Sequence, residues 1–274
     1  MSDPSVSKVE VDLPPAPVEP YDPEQAAIDS TKAPLLDHLI ELRRRLLWSL
    51  AALAVAFFGC LSVAKEIFGF LVQPLLVAGQ NRLIYTQLFE AFFVEVKVAL
   101  FGAFMLAFPV IATQIWRFIA PGLYSKEKKA VLPFLLATPV FFAGGAAAAY
   151  YVAVPVALRF LLGFQGNVGG VEQEAMPAVG NYLDFIMHFM LAFGIAALLP
   201  ILLMLLERAG LVTLEQMTSV RRYMIVAAFG IAAVATPPDI VSMLLLAVPL
   251  CLLYELSLIA IRITRRRRSR VAKD

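Results

Sequence analysis

From residue 34 onward the chain alternates long apolar runs with short polar breaks, and six runs are candidates to cross a bilayer: 46–64, 97–116, 131–154, 182–206, 223–235 and 240–261. The apolar positions within each run are continuous rather than alternating, so a strand with one wet face does not fit them. In hydrocarbon, where no water can bond the peptide groups, such runs are satisfied as helices. The pattern predicts an all-α integral membrane protein of six transmembrane helices. A normal span needs about 20 residues. The fifth run, Tyr223 to Ala235, has 13, or roughly 20 Å of helix. The sixth is cleanly apolar for only 15 residues before Glu255 interrupts it. Spans five and six are therefore expected to be short, thinning the bilayer or sheltering behind neighbours. Pro109, Pro133, Pro139, Pro200 and Pro249 fall inside spans and imply bent helices in a cupped bundle.

The polar segments set the topology. Residues 1–33 are rich in Pro, Asp and Glu and too poor in apolar side chains to offset chain entropy, which predicts a disordered cytoplasmic tail. The membrane domain then covers 34–262, and a basic cytoplasmic tail covers 263–274. Placing both termini and the loops after spans two and four in the cytoplasm leaves only Lys65, Arg82, Lys97 and Arg159 outside, of 23 Lys and Arg. That asymmetry is the positive-inside signature of an even number of spans. On the opposite side, 65–96 and 155–181 are long enough to form a cap, with a weakly amphipathic stretch from Glu66 to Leu76. The small-residue run AGGAAAAYY, 143–151, suits close helix packing.

Composition agrees with a membrane class and narrows the chemistry. The 274 residues are 60% hydrophobic and 16% charged, with a mean hydropathy of +0.78. A formal net charge of +2 is too small to argue for nucleic acid. Cys60 and Cys251 both lie inside apolar runs, where a thiol acts as a small hydrophobe, so no disulfide framework or cysteine metal site is expected. No metal or cofactor motif is present. The stretch RRRLLWSLAALAVAFFGC resembles a secretion signal, but its apolar run is too long, no short-core cleavage site follows, and five more spans come after it.

Two carboxylates stand out in basic surroundings. In HLIELRRRLLWSL, 38–50, Glu41 precedes Arg43–Arg45 on an amphipathic helix with Pro34 near its start; that helix is expected to lie along the cytoplasmic interface before turning into span one. Glu41 can reach Arg44 or Arg45 along the helix, and such an exposed pair is worth little. In RFIAPGLYSKEKK, 117–129, Glu127 sits among Lys126, Lys128 and Lys129; Ser125 is a candidate N-cap, which would place Glu127 in a favourable first helical turn. A third polar feature is Asp184 with His188, four apart on one face of span four near its outer end, with His188 expected to be hydrogen-bonded inside the bundle.

Four stretches in order, HLIELRRRLL, FEAFFVEVKVAL, QIWRFIAPGLYSKEK and TPPDIVSMLLLAVPLCLLYEL, closely resemble the TatC family, the receptor component of the twin-arginine protein translocase, from about Pro34 to Arg262. The resemblance implies a receptor in the bacterial cytoplasmic (inner) membrane that binds signal peptides of folded cargo. It implies TatA-type and TatB-type single-span partners in a hetero-oligomer of several copies, driven by the proton-motive force, with no cofactor. It places signal-peptide binding on Glu41, Arg43 and Glu127, with Phe118, Pro121, Leu123 and Tyr124 completing the second motif. Pro74, Glu90, Asp239 and Glu255 also fall on positions the family usually fills with these types, and are expected to serve structure or partner contact together with Asp184 and His188. One departure is Leu198, where the family commonly carries a polar residue just before the span-four proline.

The transfer has a physical basis. A guanidinium is always charged and forks onto carboxylates, so paired arginines are best read by acids held at a partly desolvated surface. An enzyme is not expected: HExxH and GxSxG are absent, and His38 and His188 lie at opposite ends of the bundle. An ion-coupled transporter of a small solute is the alternative, weakened by the absence of an internal repeat and by the scarcity of deep ionisable residues.

Overall fold

The computed structural model of the chain describes residues 23–123, 128–208, 210–236 and 238–271. The chain divides into two compact units, Met1–Arg43 and Arg44–Asp274. Helix α1 (Pro23–Ser62) begins in the first unit, at Pro23. The reason is local: PEQAAIDSTKA joins a proline at the first helical position to Ala, Glu, Gln and Lys, all good helix formers.

In the second unit the order is α2 (Ala64–Val77), α3 (Glu90–Leu123), α4 (Lys128–Ala148), a π-helical turn (Ala149–Ala153), α5 (Val154–Leu162), strands β1 (Gly166–Val168) and β2 (Val171–Gln173), α6 (Val179–Ala196), α7 (Leu199–Arg208), α8 (Leu214–Ser219), α9 (Arg221–Ala235) and α10 (Ile240–Val271). Among the described residues, five helical stretches are long and apolar enough to cross a membrane: His38–Ser62, Glu90–Phe118, Phe134–Leu162, Val179–Arg208 and Ile240–Arg265. The short α9, 15 residues, is the fifth span of the sequence pattern. The all-α membrane architecture holds, with one small antiparallel hairpin, β1–β2, added in an outer loop.

Two span lengths need correction. Span six is not short: helix continues through Glu255 to Arg265, because Arg221 lies 2.7 Å from the Glu255 carboxylate and offsets its charge. Span three runs on to Leu162 instead of ending at 154, since the π turn just before Pro155 lets the helix absorb a proline and α5 is apolar. The other prolines act unequally. Helices α3, α4 and α10 continue through Pro109, Pro139 and Pro249, whereas span four breaks at Ala197 and Leu198, just before Pro200.

Packing follows the small residues. A Cβ built on Gly145 would lie 2.4 Å from the Phe193 carbonyl oxygen, and one on Gly194 would lie 2.7 Å from the Phe142 ring, so α4 and α6 meet at backbone distance. Ala146, Ala149 and Ala153 are buried on the same side. Around this seam the main core gathers Leu71 and Leu75 of α2, Val98 of α3, Leu183 and Ile186 of α6, Ala232 of α9 and Leu246 of α10.

The expected amphipathic stretch 66–76 lies within α2, and Pro74 explains how it is held. A helical proline frees the carbonyl four residues back, here that of Phe70. The Tyr150 hydroxyl donates to that oxygen at 2.7 Å, with its ring stacked on Phe70 at 4.3 Å. The Tyr182 hydroxyl donates to the next carbonyl, of Leu71, at 2.7 Å. Pro74 thus fastens α2 to spans three and four.

Candidate functional site

The site residues expected from the sequence fall on segments assigned to the cytoplasmic side, and the structure describes only some of them. Glu41 is half-buried and Arg43 exposed on α1, both in the first unit. Phe118 is half-buried on α3, which also contains Pro121 and Leu123. Tyr124 and Glu127 lie outside the described residues, so the capping role considered for Glu127 does too.

What the structure does show is how the segment holding the second motif is anchored. On α3 the Trp116 indole donates to the Thr138 hydroxyl of α4 at 2.8 Å, and that hydroxyl donates to the Phe134 carbonyl at 2.8 Å. The Arg208 guanidinium lies 5.7 Å from the centre of the Phe134 ring, adding α7 to the group. Arg45 donates to the Gln114 side chain at 3.3 Å, so one of the three expected topology anchors also ties α1 to α3.

The second cytoplasmic loop is held by residues the sequence reading did not single out. Thr213 and Gln216 form a capping box at α8. Arg265 of α10 lies 3.0 Å from Glu207, whose side chain is only 15% exposed, and 3.3 Å from Glu215. The Tyr254 hydroxyl donates to the Met217 carbonyl at 2.5 Å. Glu215 has its carboxyl held below the usual range first by its own backbone N–H, then by the Thr213 side chain, with Arg265 adding to both. The basic run after Arg262 signalled only topology; that one of its arginines reaches two acids across the loop has no sequence period to reveal it.

The residues expected in structural or partner roles do not converge on one place. Glu90 closes the outer loops. One carboxylate oxygen accepts from Thr86 N–H at 2.5 Å, the Thr86 hydroxyl at 3.0 Å and Gln87 N–H at 3.2 Å; the other accepts from Gly180 N–H at 2.8 Å. Ile84 and Ala178 pair as a parallel bridge beside it. Asp239 accepts from the Ser242 N–H at 2.7 Å at the start of α10. Asp184 receives both its contacts from Lys97, each at 2.9 Å, with side chains 40% and 49% exposed inside two apolar spans. His188 bonds the Asp184 carbonyl but is exposed. The expectation that it sits inside the bundle is corrected: Met187, Phe189 and Met190 take the inward face of α6 and leave His188 on the outer one. Leu198 is half-buried against Phe108, Ala112 and Phe142, so apolar packing fills the place where a polar group was expected. Among the described residues, no group of three His, Cys, Asp or Glu side chains could hold a metal ion.

These features define a class: a multi-pass helical membrane protein whose polar groups serve as ion pairs, caps and loop clips at its two faces. The comparisons narrow it. The family profile of TatC, Sec-independent protein translocase protein, matches residues 37–249. A TatC of Magnetococcus marinus is 45% identical over 240 residues, 87% of each chain, and one of Aquifex aeolicus is 40% identical over 243 residues, 88% of this chain and 99% of its own. A crystal structure of a twin-arginine translocase receptor, TatC, superposes with a TM-score of 0.74 at 40% identity, covering 82% of this chain and 98% of that one. The chain belongs to the TatC family. It is accordingly a multi-pass protein of the bacterial inner membrane and a component of the Tat protein translocase rather than an enzyme, and the small-solute transporter is not favoured.

Proposed function

We propose that the chain is the subunit that reads twin-arginine signal peptides at the cytoplasmic face, with Glu41 and Glu127 each accepting an arginine of the incoming pair. The observation that carries this is that the family match, 37–249, contains both carboxylates, each within one of the stretches that resemble the family's motifs. Arg43–Arg45 hold the helix at the anionic leaflet. Phe118, Pro121, Leu123 and Tyr124 shape the second acid's loop. Each charge-assisted contact contributes about 1.5–3 kcal/mol, and the planar fork of the guanidinium, which lysine lacks, favours arginine at both acids.

The receptor scaffolds TatA-type and TatB-type single-span helices for export of folded cargo driven by the proton-motive force. With Leu198 apolar, the polar contact to such helices shifts to Asp184, half-buried and paired with Lys97, and to His188, which is exposed within the span. The test is photocrosslinking to a twin-arginine signal peptide: Glu41→Ala and Glu127→Ala each weaken the adduct and the double variant abolishes it, with membrane insertion intact. Undiminished crosslinking in the double variant refutes the reading. Asp184→Asn with His188→Ala should reduce co-purification of single-span partners while leaving signal crosslinking unchanged.

A further inference from the structure

An apolar cavity of about 210 Å³ lies between α9 and α10, lined by Ile225 and Phe229 of α9, Val248, Cys251 and Glu255 of α10, and Leu199 of α7. Its rim residues Ile225 and Val248 are 46% and 47% exposed, so the groove opens sideways at membrane depth. The sole charged group on its lining, Glu255, is paired with Arg221 at 2.7 Å. In a bilayer this space must be filled by something apolar. A transmembrane helix is about 10–12 Å across with its side chains and does not enter a cleft of this size, whereas a single hydrocarbon chain does.

The mouth of the groove specifies the headgroup. Arg222, Ile225 and Phe229 stand at i, i+3 and i+7 on one face of α9, which puts Arg222 one turn, about 4.5 Å, to the cytoplasmic side of the lining. Its guanidinium lies 4.8 Å from the centre of the Tyr223 ring and donates to the Tyr223 hydroxyl at 2.9 Å, a fixed cation at the interface. On α10, Arg262 lies seven residues beyond Glu255 on the same face and is exposed. The positive-inside assignment puts both arginines in the leaflet that carries anionic lipid. We infer that the α9–α10 groove is a binding site for one anionic phospholipid, its acyl chain in the cavity and its phosphate on Arg222 and Arg262. The lipid fills what the short α9 leaves open, and the pairing of Arg221 with Glu255 keeps the acid from repelling the phosphate.

The test uses the full chain in vesicles containing either phosphatidylglycerol or phosphatidylcholine with a photoreactive diazirine in one acyl chain, with adducts mapped by mass spectrometry. Adducts on 225–231 and 248–255 should form preferentially with phosphatidylglycerol. Arg222→Gln and Arg262→Gln should each cut that preference about fivefold, the effect of one basic residue at an anionic surface, while Arg222→Lys retains most of it. Ile225→Trp fills the cavity and should remove the adducts with both lipids. Should Ile225→Trp misfold, the exposed arginine variants still decide the matter. Equal labelling by the two lipids, or a preference unchanged in the double arginine variant, overturns the site. So does labelling that is absent from the isolated chain. Signal-peptide crosslinking is read in the same preparations, so a failure here is separable from a failure of the receptor assignment.

Discussion

At the outer end of the second unit, loops and kinked helix are tied to backbone: Glu90 takes N–H groups of Thr86, Gln87 and Gly180, and Tyr150 and Tyr182 donate to the carbonyls of Phe70 and Leu71. At the inner end the ties are mostly between charged side chains, Arg265 to Glu207 and Glu215, and Arg221 to Glu255, with every arginine nearly half exposed. Backbone bonds have fixed geometry and little salt dependence. Exposed ion pairs are weak, screened and readily exchanged for other partners. The difference fits the receptor role proposed above, in which the outer face stays closed while the inner face trades internal ion pairs for those of arriving partners.

The hardest test of that contrast is Glu90→Ala. It removes the acceptor for three backbone N–H groups and a hydroxyl at once, and should expose residues 78–89 and 174–180 to limited proteolysis several-fold faster. Glu90→Gln keeps an acceptor oxygen and should recover part of the protection. Equal protection in all three proteins would break the comparison at its outer side. Tyr150→Phe comes next. The Phe70 carbonyl, already without its helical N–H because of Pro74, loses its remaining donor, at a cost of about 1 kcal/mol in unfolding free energy. Replacing Pro74 by Ala restores the helical bond, so the double variant should be less impaired than Tyr150→Phe alone.

On the inner side, Arg265→Gln should loosen residues 208–220 by about 1 kcal/mol, since it strands the largely buried Glu207 while Glu215 stays in water. Hydrogen exchange of that loop should rise in wild type when salt is raised to about 1 M, where the screening length falls to roughly 3 Å. The loop held by Glu90 should respond much less. A loop at 208–220 indifferent to salt would mean the capping box and the Tyr254 bond hold it alone.

Much of this division was legible in the sequence, and the rest was hidden for identifiable reasons. Apolar run length gave the spans, and basic asymmetry gave their orientation, because hydrophobicity and charge are properties of single residues. Glu255 misled the length of span six because its partner Arg221 is 34 positions away, on another helix. Lys97 looked like an exception to the charge rule until Asp184, 87 positions on, supplied its counter-ion. The π turn at Ala149–Ala153 leaves no periodic mark, though Pro155 just after it was a signal available to be used. Of the proposed receptor site, the acids could be named from their motifs, while the distance between them is a tertiary quantity that residue order does not encode.

The smallest expected effect is the most discriminating about mechanism. Glu215 is fully exposed, yet its carboxyl sits below the ordinary range, chiefly through its own backbone N–H and the Thr213 side chain, with Arg265 contributing less. A carboxylate whose pKa is lower folded than unfolded adds stability above the unfolded value, about 4.3 for glutamate, and that share vanishes as pH falls through the folded value. The loop should therefore be unaffected between about pH 7 and pH 5 and loosen slightly only below about pH 4. An NMR titration of the Glu215 carboxyl carbon should show a midpoint below the usual glutamate range. Arg265→Gln should move that midpoint only part of the way back, because the backbone donor remains. Full recovery in that variant would mean the ion pair, and not the helix start, holds the charge, so that even this cap belongs to the exchangeable class of inner contacts.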